Sequence, residues 1–306
     1  MNLQKNILLK NYTTFKIGGP AKFFVEAATI DDVKETLDYV RDNNLKILIL
    51  GGGSNLLVSD KGFAGLVLKL NLQKLEFNKN IITIGAGVQL ALLLDEALNK
   101  KLTGLEFVTG IPGTVGGAVR GNAGTYGLGM ADVIQNIIYL DEDNKIQTMN
   151  AKQAKFAYRH SIFKENKYII LEAVIKLEFG DLSIAKQLIK ERLQYRKDTQ
   201  PNQASAGCAF KNVLFADVDL VDLKKKGLDL DKFSKFEKIP AAFLIEQADL
   251  KGYKIGGAQV SELHSNYIIN KDQASADDVV MLISFIKQQI RDKYGIQLQE
   301  EVQIIA

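Results

Sequence analysis

The chain has 306 residues, 46% of them hydrophobic and 25% charged, with a formal net charge of +3. That length suits two or three domains, and the balance is that of an ordinary globular protein. So slight a basic excess gives no reason to expect nucleic acid, and no apolar run approaches the roughly 20 residues that span a bilayer.

Cys208 is the sole cysteine, so no intrachain disulfide can form, and with only His160 and His264 beside it no metal site is expected. Residues 1–10 carry a short apolar patch without a signal-peptide core, so a cytoplasmic location is expected; a monomer is expected as well.

In chain order, Thr29-Ile-Asp-Asp opens a helix that Thr29 or Asp31 caps, with Val33, Leu37 and Val40 on one face. Leu45-Lys-Ile-Leu-Ile-Leu50 reads as a buried strand and Leu66-Val-Leu-Lys-Leu70 as another. This β–α–β alternation describes a small α/β domain ending near residue 72. From Ile81 the pattern changes. Ile81-Ile-Thr-Ile84 is strand-like, and Leu90, Leu93, Leu94, Ala97 and Leu98 line a helical face. Residues 133–140, 145–149 and 168–179 read as strands. A helix over 181–195, carrying Leu182, Leu188, Ile189 and Leu193, leads to Lys197-Asp-Thr-Gln-Pro201, a domain junction by its proline and polar neighbours. The last third holds a helix near 240–247 and a strand over 266–270. A long helix over 276–293 follows, with Val279, Leu282, Ile283, Ile286 and Ile290 as its buried stripe, and alternation over 296–305 predicts a closing strand.

Two glycine-dense stretches interrupt this order: Gly51-Gly-Gly-Ser-Asn55, just after the first buried strand, and residues 110–124, Gly-Ile-Pro-Gly-Thr-Val-Gly-Gly-Ala-Val-Arg-Gly-Asn-Ala-Gly. Lacking Cβ, glycine lets main-chain N–H groups approach an anion and adopts positive φ at little cost. A pair of such stretches fits a long ligand with a pyrophosphate, such as a dinucleotide. Neither is G-x-G-x-x-G opening a long helix, and G-x-x-x-x-G-K-[ST] is absent. The plain alternative is turns between packed elements.

Four further groupings carry chemical side chains. Phe156-Ala-Tyr-Arg-His-Ser-Ile-Phe163 sets an arginine among aromatics, and Ser205-Ala-Gly-Cys-Ala-Phe-Lys-Asn212 brings a thiol, an ammonium and an amide onto a turn. Residues 251–264, from Lys251 to His264, combine glycines with cations, and Glu300 and Glu301 lie in the terminal segment. Adjacent strand residues face opposite sides, so only one of that glutamate pair can enter a pocket. Singly, Arg159 reads as a surface or salt-bridged residue, Cys208 as inert filler and the glutamates as solvated.

Taken together, these segments resemble the UDP-N-acetylenolpyruvoylglucosamine reductases, over nearly the whole chain. Its carriers are Asn11-Tyr-Thr-Thr-Phe-Lys-Ile-Gly-Gly19, Leu50-Gly-Gly-Gly-Ser-Asn-Leu-Leu57, residues 110–124, Tyr158-Arg-His-Ser161, residues 205–212, Gly256-Gly-Ala-Gln-Val-Ser261 and Glu301-Val302. The resemblance implies an α+β or α/β chain with an FAD-binding fold like that of vanillyl-alcohol oxidase. It implies FAD-binding subdomains over 1–72 and 73–198, a substrate-binding domain over 199–298, and a last segment, 299–306, returning to the first. FAD would be held without a covalent link by Gly51, Gly52, Gly53, Ser54 and Asn55 at the pyrophosphate. From the second stretch, Gly110, Ile111, Pro112, Gly113, Gly116, Gly117, Asn122, Ala123 and Gly124 would line the cofactor.

The implied reaction has two halves: NADPH reduces FAD and leaves, then UDP-N-acetylglucosamine enolpyruvate is reduced to UDP-N-acetylmuramate for peptidoglycan precursor synthesis. Arg159 matches the cation that stabilises the developing enolate, and Glu301 the carboxyl that assists there, which burial is expected to keep protonated. Cys208 stands where the family usually has a serine, as proton donor to the enolate carbon; an unperturbed thiol, with a pKa of about 8.5, gives up a proton far more readily than an alcohol. Tyr158 is placed at the substrate, and Arg196, Lys211, Asn212, Lys251 and His264 at its phosphates. Residues 256–270 show no tyrosine-bearing insertion, which places the chain with the compact subtype. The rivals are another FAD oxidoreductase of the same fold and a non-redox nucleotide-sugar binding protein.

Overall fold

A computed structural model describes residues 1–306, which form two compact units. The first comprises Met1–Ile7, Ala21–Gly53 and Phe63–Arg196, and the second Leu8–Pro20, Ser54–Gly62 and Lys197–Ala306. No helix is long and apolar enough to cross a membrane.

The first unit contains two large sheets beside two short two-stranded ones. In one, the strand Phe63–Leu70 lies between Pro20–Ala27 and Ile47–Leu50 and runs parallel to both, with Gln4–Leu8 at the edge. Parallel strands covered on both faces favour unbroken apolar runs, which Leu66, Val67 and Leu68, all fully buried, supply. The connecting helix, Ile30–Asp42, starts where its sequence says. The Thr29 hydroxyl accepts from the Asp32 N–H at 3.1 Å, and the Asp32 carboxylate accepts from the Thr29 N–H at 3.1 Å.

The second sheet is wholly antiparallel, in the order Ile146–Asn150, Ile134–Leu140, Ile169–Lys176, Ile81–Gly85, Leu75–Asn78. Against it pack the helix Leu90–Asn99, through Leu90, Leu93, Leu94 and Ala97, and the short helix Val115–Gly121, which no apolar periodicity announced. The two sheets fall within the segments 1–72 and 73–198.

Two expected elements differ in extent. The helix Leu182–Thr199 continues past residue 195 and ends two residues short of Pro201, so the changeover between units, at Arg196 and Lys197, falls inside it. Of its apolar residues Leu188 and Leu193 are 36% and 49% exposed, Leu182 and Ile189 are half-buried, and Ala185 is fully buried. The closing strand is only Gln303–Ile305, paired parallel to Leu56–Val58. Ile296 and Leu298 alternate because they pack into the core of the second unit, without a strand on which to pair.

That second unit is built on an antiparallel sheet, in the order Ser205–Cys208, Tyr267–Asn270, Ala258–Val260, Lys254–Ile255, with the helix Ala276–Tyr294 laid against it. Val279, Leu282, Ile283, Ile286 and Ile290 form the predicted stripe and are buried with Val260 and Ile268. Residues 11–19 belong here, held by the Thr14 hydroxyl donating to the Ser205 carbonyl at 2.7 Å and the Asn270 amide donating to the Phe15 carbonyl at 3.2 Å.

The long helix begins on a Ser275/Asp278 capping box, and the Asp278 carboxylate also accepts from the Gly257 N–H at 3.1 Å. These main-chain donors, from Ser275 and Gly257, hold its carboxyl below the ordinary value of 3.8. A carboxylate depressed by folding contributes stability that is complete above its unfolded value and is lost as pH falls through the folded one. Asp278→Asn should therefore unfold more easily at neutral pH and show a shallower loss of stability below about pH 4, as read by denaturant midpoints across pH.

Candidate active site

The two glycine stretches meet within the first unit. A Cβ on Gly52 would stand 2.6 Å from the Gly113 Cα, and one on Gly51 would stand 2.7 Å from the Thr114 Oγ1. Main chain thus lies against main chain, which only glycine permits here. Gly53, Gly110 and Gly113 take the positive φ expected of such turns. Thr114 occupies the cap position of the helix Val115–Gly121 but makes no capping bond, and its hydroxyl is buried without a hydrogen-bond partner. A buried hydroxyl left unbonded costs free energy unless a ligand meets it. This cradle fits an anionic cofactor group.

Other members of the second stretch do structural work. Gly116 donates its N–H to the Ala86 carbonyl at 2.9 Å, whereas Gly117 has no side-chain or main-chain neighbour closer to its Cβ position than the Thr114 hydroxyl at 3.7 Å. Ile111 and Ala123 pack against the core, Pro112 is exposed, and the Gly124 carbonyl accepts from Arg159. Asn122, expected at the cofactor, has its amide engaged at both ends by the protein, donating to the Ala157 carbonyl at 3.0 Å and accepting from the Ala131 N–H at 3.0 Å.

Gly52→Ala is expected to destabilise the protein by about 1–3 kcal/mol and to strip it of most of its flavin. Gly121→Ala, where a Cβ meets nothing within 4 Å, is the matched control. Flavin absorbance per chain, measured with the melting curve, separates the two variants.

Arg159 sits at the tip of a tight turn. Ala157 and His160 exchange both main-chain hydrogen bonds at 3.1 Å, and Arg159 takes a left-handed φ of 55°. That conformation is strained for a side chain with a Cβ, and such strain persists only where the surroundings enforce it. Here they do. The Lys164 ammonium donates to the Arg159 carbonyl at 2.7 Å, the guanidinium donates to the Gly124 carbonyl at 3.0 Å, and its carbon lies 5.4 Å from the Tyr158 ring centroid. Below the turn, the fully buried Ser161 donates to the Arg120 carbonyl at 2.7 Å.

In the second unit Cys208 and Glu301 are brought close along the chain. Tyr267 pairs with Cys208, while the Glu301 N–H donates to the Ala209 carbonyl at 2.8 Å and the Lys211 N–H to the Gln299 carbonyl at 2.9 Å. The half-buried thiol therefore stands on a segment flanked by Tyr267–Asn270 on one side and residues 299–301 on the other. Asn266, 2% exposed, locks that segment: its amide accepts from the Phe210 N–H at 3.0 Å and donates to the Phe210 carbonyl at 2.8 Å. Of the glutamate pair, Glu300 is bound to Lys287 at 2.6 Å.

The phosphate candidates fare unequally. Arg196 packs its Cδ into the space that a side chain on Gly110 would fill. Lys211 lies 3.5 Å from the Gln299 side-chain oxygen, and Lys251 pairs with Glu246 at 2.8 Å. Asn212 uses its carbonyl oxygen to cap the helix Ala241–Gln247, at 3.2 Å from the Ala241 N–H. Burial, with the nearby Lys251 charge acting in the same sense, lowers the His264 imidazole below its ordinary value of 6.5, and its Nδ1 accepts from the Asn266 N–H at 3.3 Å. Sequence reasoning missed Thr114 and Asn266. The first stood inside a recognised stretch. The second, an amide beginning an apolar strand, carried only the signal that a buried polar side chain must find partners.

Comparison with known proteins bears on both units. Residues 200–305 match the family described as UDP-N-acetylenolpyruvoylglucosamine reductase, C-terminal domain, and residues 21–150 match one described as FAD binding domain. A UDP-N-acetylenolpyruvoylglucosamine reductase of Caldanaerobacter subterraneus subsp. tengcongensis is 40% identical over 305 residues, 99% of this chain and 93% of that one. The Bacillus subtilis protein of that name is 40% identical over 301 residues, 97% of this chain and 92% of that one. Among solved structures, the UDP-N-acetylenolpyruvylglucosamine reductase of Thermus caldophilus superposes with a TM-score of 0.80 at 31% identity, covering 100% of both chains.

Proposed function

We propose that this chain, which belongs to the UDP-N-acetylenolpyruvoylglucosamine reductase family, binds FAD without a covalent link and uses NADPH to reduce UDP-N-acetylglucosamine enolpyruvate to UDP-N-acetylmuramate. It is a flavoprotein oxidoreductase of peptidoglycan precursor synthesis, with a mixed α/β fold and an FAD-binding domain. The observation that carries the reading is the cradle of Gly51, Gly52, Gly113 and the orphaned Thr114 hydroxyl, which suits a pyrophosphate approached by main-chain N–H groups.

FAD held at Gly51, Gly52, Gly53, Ser54 and Asn55 would supply, once reduced, a hydride to the methylene carbon of the enolpyruvyl group. Negative charge then develops on the adjoining carbon and its carboxylate, where the Arg159 guanidinium lowers its energy. Because the turn enforces the strained conformation of Arg159, the cation is set in place before the charge appears. The Glu301 carboxyl assists there, through its protonated form or a water, since an ionised carboxylate beside an enolate would oppose the reaction. The Cys208 thiol delivers its proton to the enolate carbon, and the thiolate that remains is reprotonated from water. Tyr158 is assigned to the sugar nucleotide, and Arg196, Lys211, Asn212, Lys251 and His264 to its phosphates.

The test is anaerobic stopped-flow of both halves. NADPH should bleach a yellow protein, and the enolpyruvyl sugar nucleotide should restore its colour. A colourless chain that FAD does not reconstitute would favour a nucleotide-sugar binding protein. A flavin that NADPH reduces but the enolpyruvyl compound cannot reoxidise would favour another flavin oxidoreductase.

A further inference from the structure

We propose that Asn55 is a positioning residue for Glu301, so that the turn assigned to the flavin pyrophosphate also fixes where the acid stands; this rests on the role proposed above for Glu301. The Asn55 side-chain amide donates to the Glu301 carbonyl at 2.9 Å across 246 residues of sequence. Its own carbonyl accepts from the Gln303 N–H at 3.0 Å. Asn55 thus grips residues 301 and 303 together, immediately before the parallel pairing of Leu56 with Gln303 begins.

On its other side Glu301 donates its N–H to the Ala209 carbonyl, next to Cys208, at 2.8 Å. Both peptide groups of Glu301 are therefore held, one by the segment that carries the thiol and one by Asn55. With Glu300 tied to Lys287 at 2.6 Å, the segment has little freedom to twist. Only an amide can do this task at Asn55. An aspartate of the same shape would turn an oxygen toward the Glu301 carbonyl, and an alanine would leave that carbonyl without its donor. Placement matters because a displacement of about 1 Å at a reacting group can cost about a hundredfold in rate.

Merely pinning the closing strand would also use these bonds, so the test must separate positioning from packing. In the FAD-loaded enzyme, Asn55→Ala and Asn55→Asp should slow reoxidation of the flavin by the enolpyruvyl sugar nucleotide by roughly ten- to a hundredfold, and slow it more than reduction by NADPH. Each is then combined with Glu301→Gln. If Asn55 acts through Glu301, the double variants react no more slowly than Glu301→Gln alone, because the two losses are one loss. Losses that multiply would overturn the proposal. So would a variant that sheds flavin yet reoxidises normally once FAD is added back. Glu301→Gln reacting like the parent enzyme has a different meaning: the assigned role of Glu301 fails first, and that of Asn55 with it. Should Asn55→Ala fail to fold, the isosteric Asn55→Asp gives the same comparison.

Discussion

Cys208→Ala should leave reduction of the flavin by NADPH nearly intact while slowing its reoxidation by the enolpyruvyl sugar nucleotide by about 10²- to 10⁴-fold, the usual worth of a positioned general acid. The split follows from where the residue acts: a proton to the enolate carbon is needed only in the second half. Cys208→Ser sharpens the test. A hydroxyl gives up a proton less readily than a thiol but cannot be oxidised to a sulfenic acid. The serine variant should therefore recover much of the rate lost in the alanine variant and resist peroxide, whereas the parent enzyme should lose its second half-reaction to peroxide and regain it with a thiol reductant. An alanine variant that reoxidises at the parent rate would remove Cys208 from the chemistry.

The periodic elements were plain in the sequence. Thr29 and Val33 marked one helix, and Val279 through Ile290 marked another, because capping chemistry and a 3.6-residue apolar repeat are local properties. What escaped was set by distant partners. Leu188 and Leu193 lie on a helix that the sequence announced and are exposed, since local pattern cannot say whether a second surface arrives to cover a residue. Alternation over 296–305 suggested a strand, but a strand also needs a neighbour, which Leu56–Val58 provides for three residues and Phe210 for Glu300 alone.

At the site, residue types were legible and commitments were not. Nothing local distinguishes Asn122, whose amide serves Ala157 and Ala131, from an asparagine that faces a ligand. Nor could composition show that burial would lower the His264 imidazole. The resemblance pointed to Arg159, Cys208 and Glu301. The structure adds how each is held: a strained turn for the first, and a shared run of main-chain bonds over 208–211 and 299–301 for the others.

The strain at Arg159 makes a prediction that sets stability against activity. A non-glycine residue in the left-handed region costs roughly 1–2 kcal/mol relative to ordinary backbone, a cost glycine largely avoids. Arg159→Ala and Arg159→Gly both remove the guanidinium, its bond to Gly124 and its contact with Tyr158. They differ only in whether a Cβ must be carried at φ 55°. Both should slow flavin reoxidation by about 10²- to 10³-fold, the typical loss when one charge-stabilising donor is deleted, and by the same factor as each other. In denaturant melts, however, the glycine variant should be the more stable of the two by about 1 kcal/mol. Equal stabilities would mean that the turn stores no strain at this residue. Unequal rates would mean that the turn itself, beyond the cation it presents, takes part in the reaction. On the role proposed for Arg159, an arginine stands where glycine would fit the backbone better because the charge is needed at the tip of that turn, where the Lys164 ammonium donates to its carbonyl.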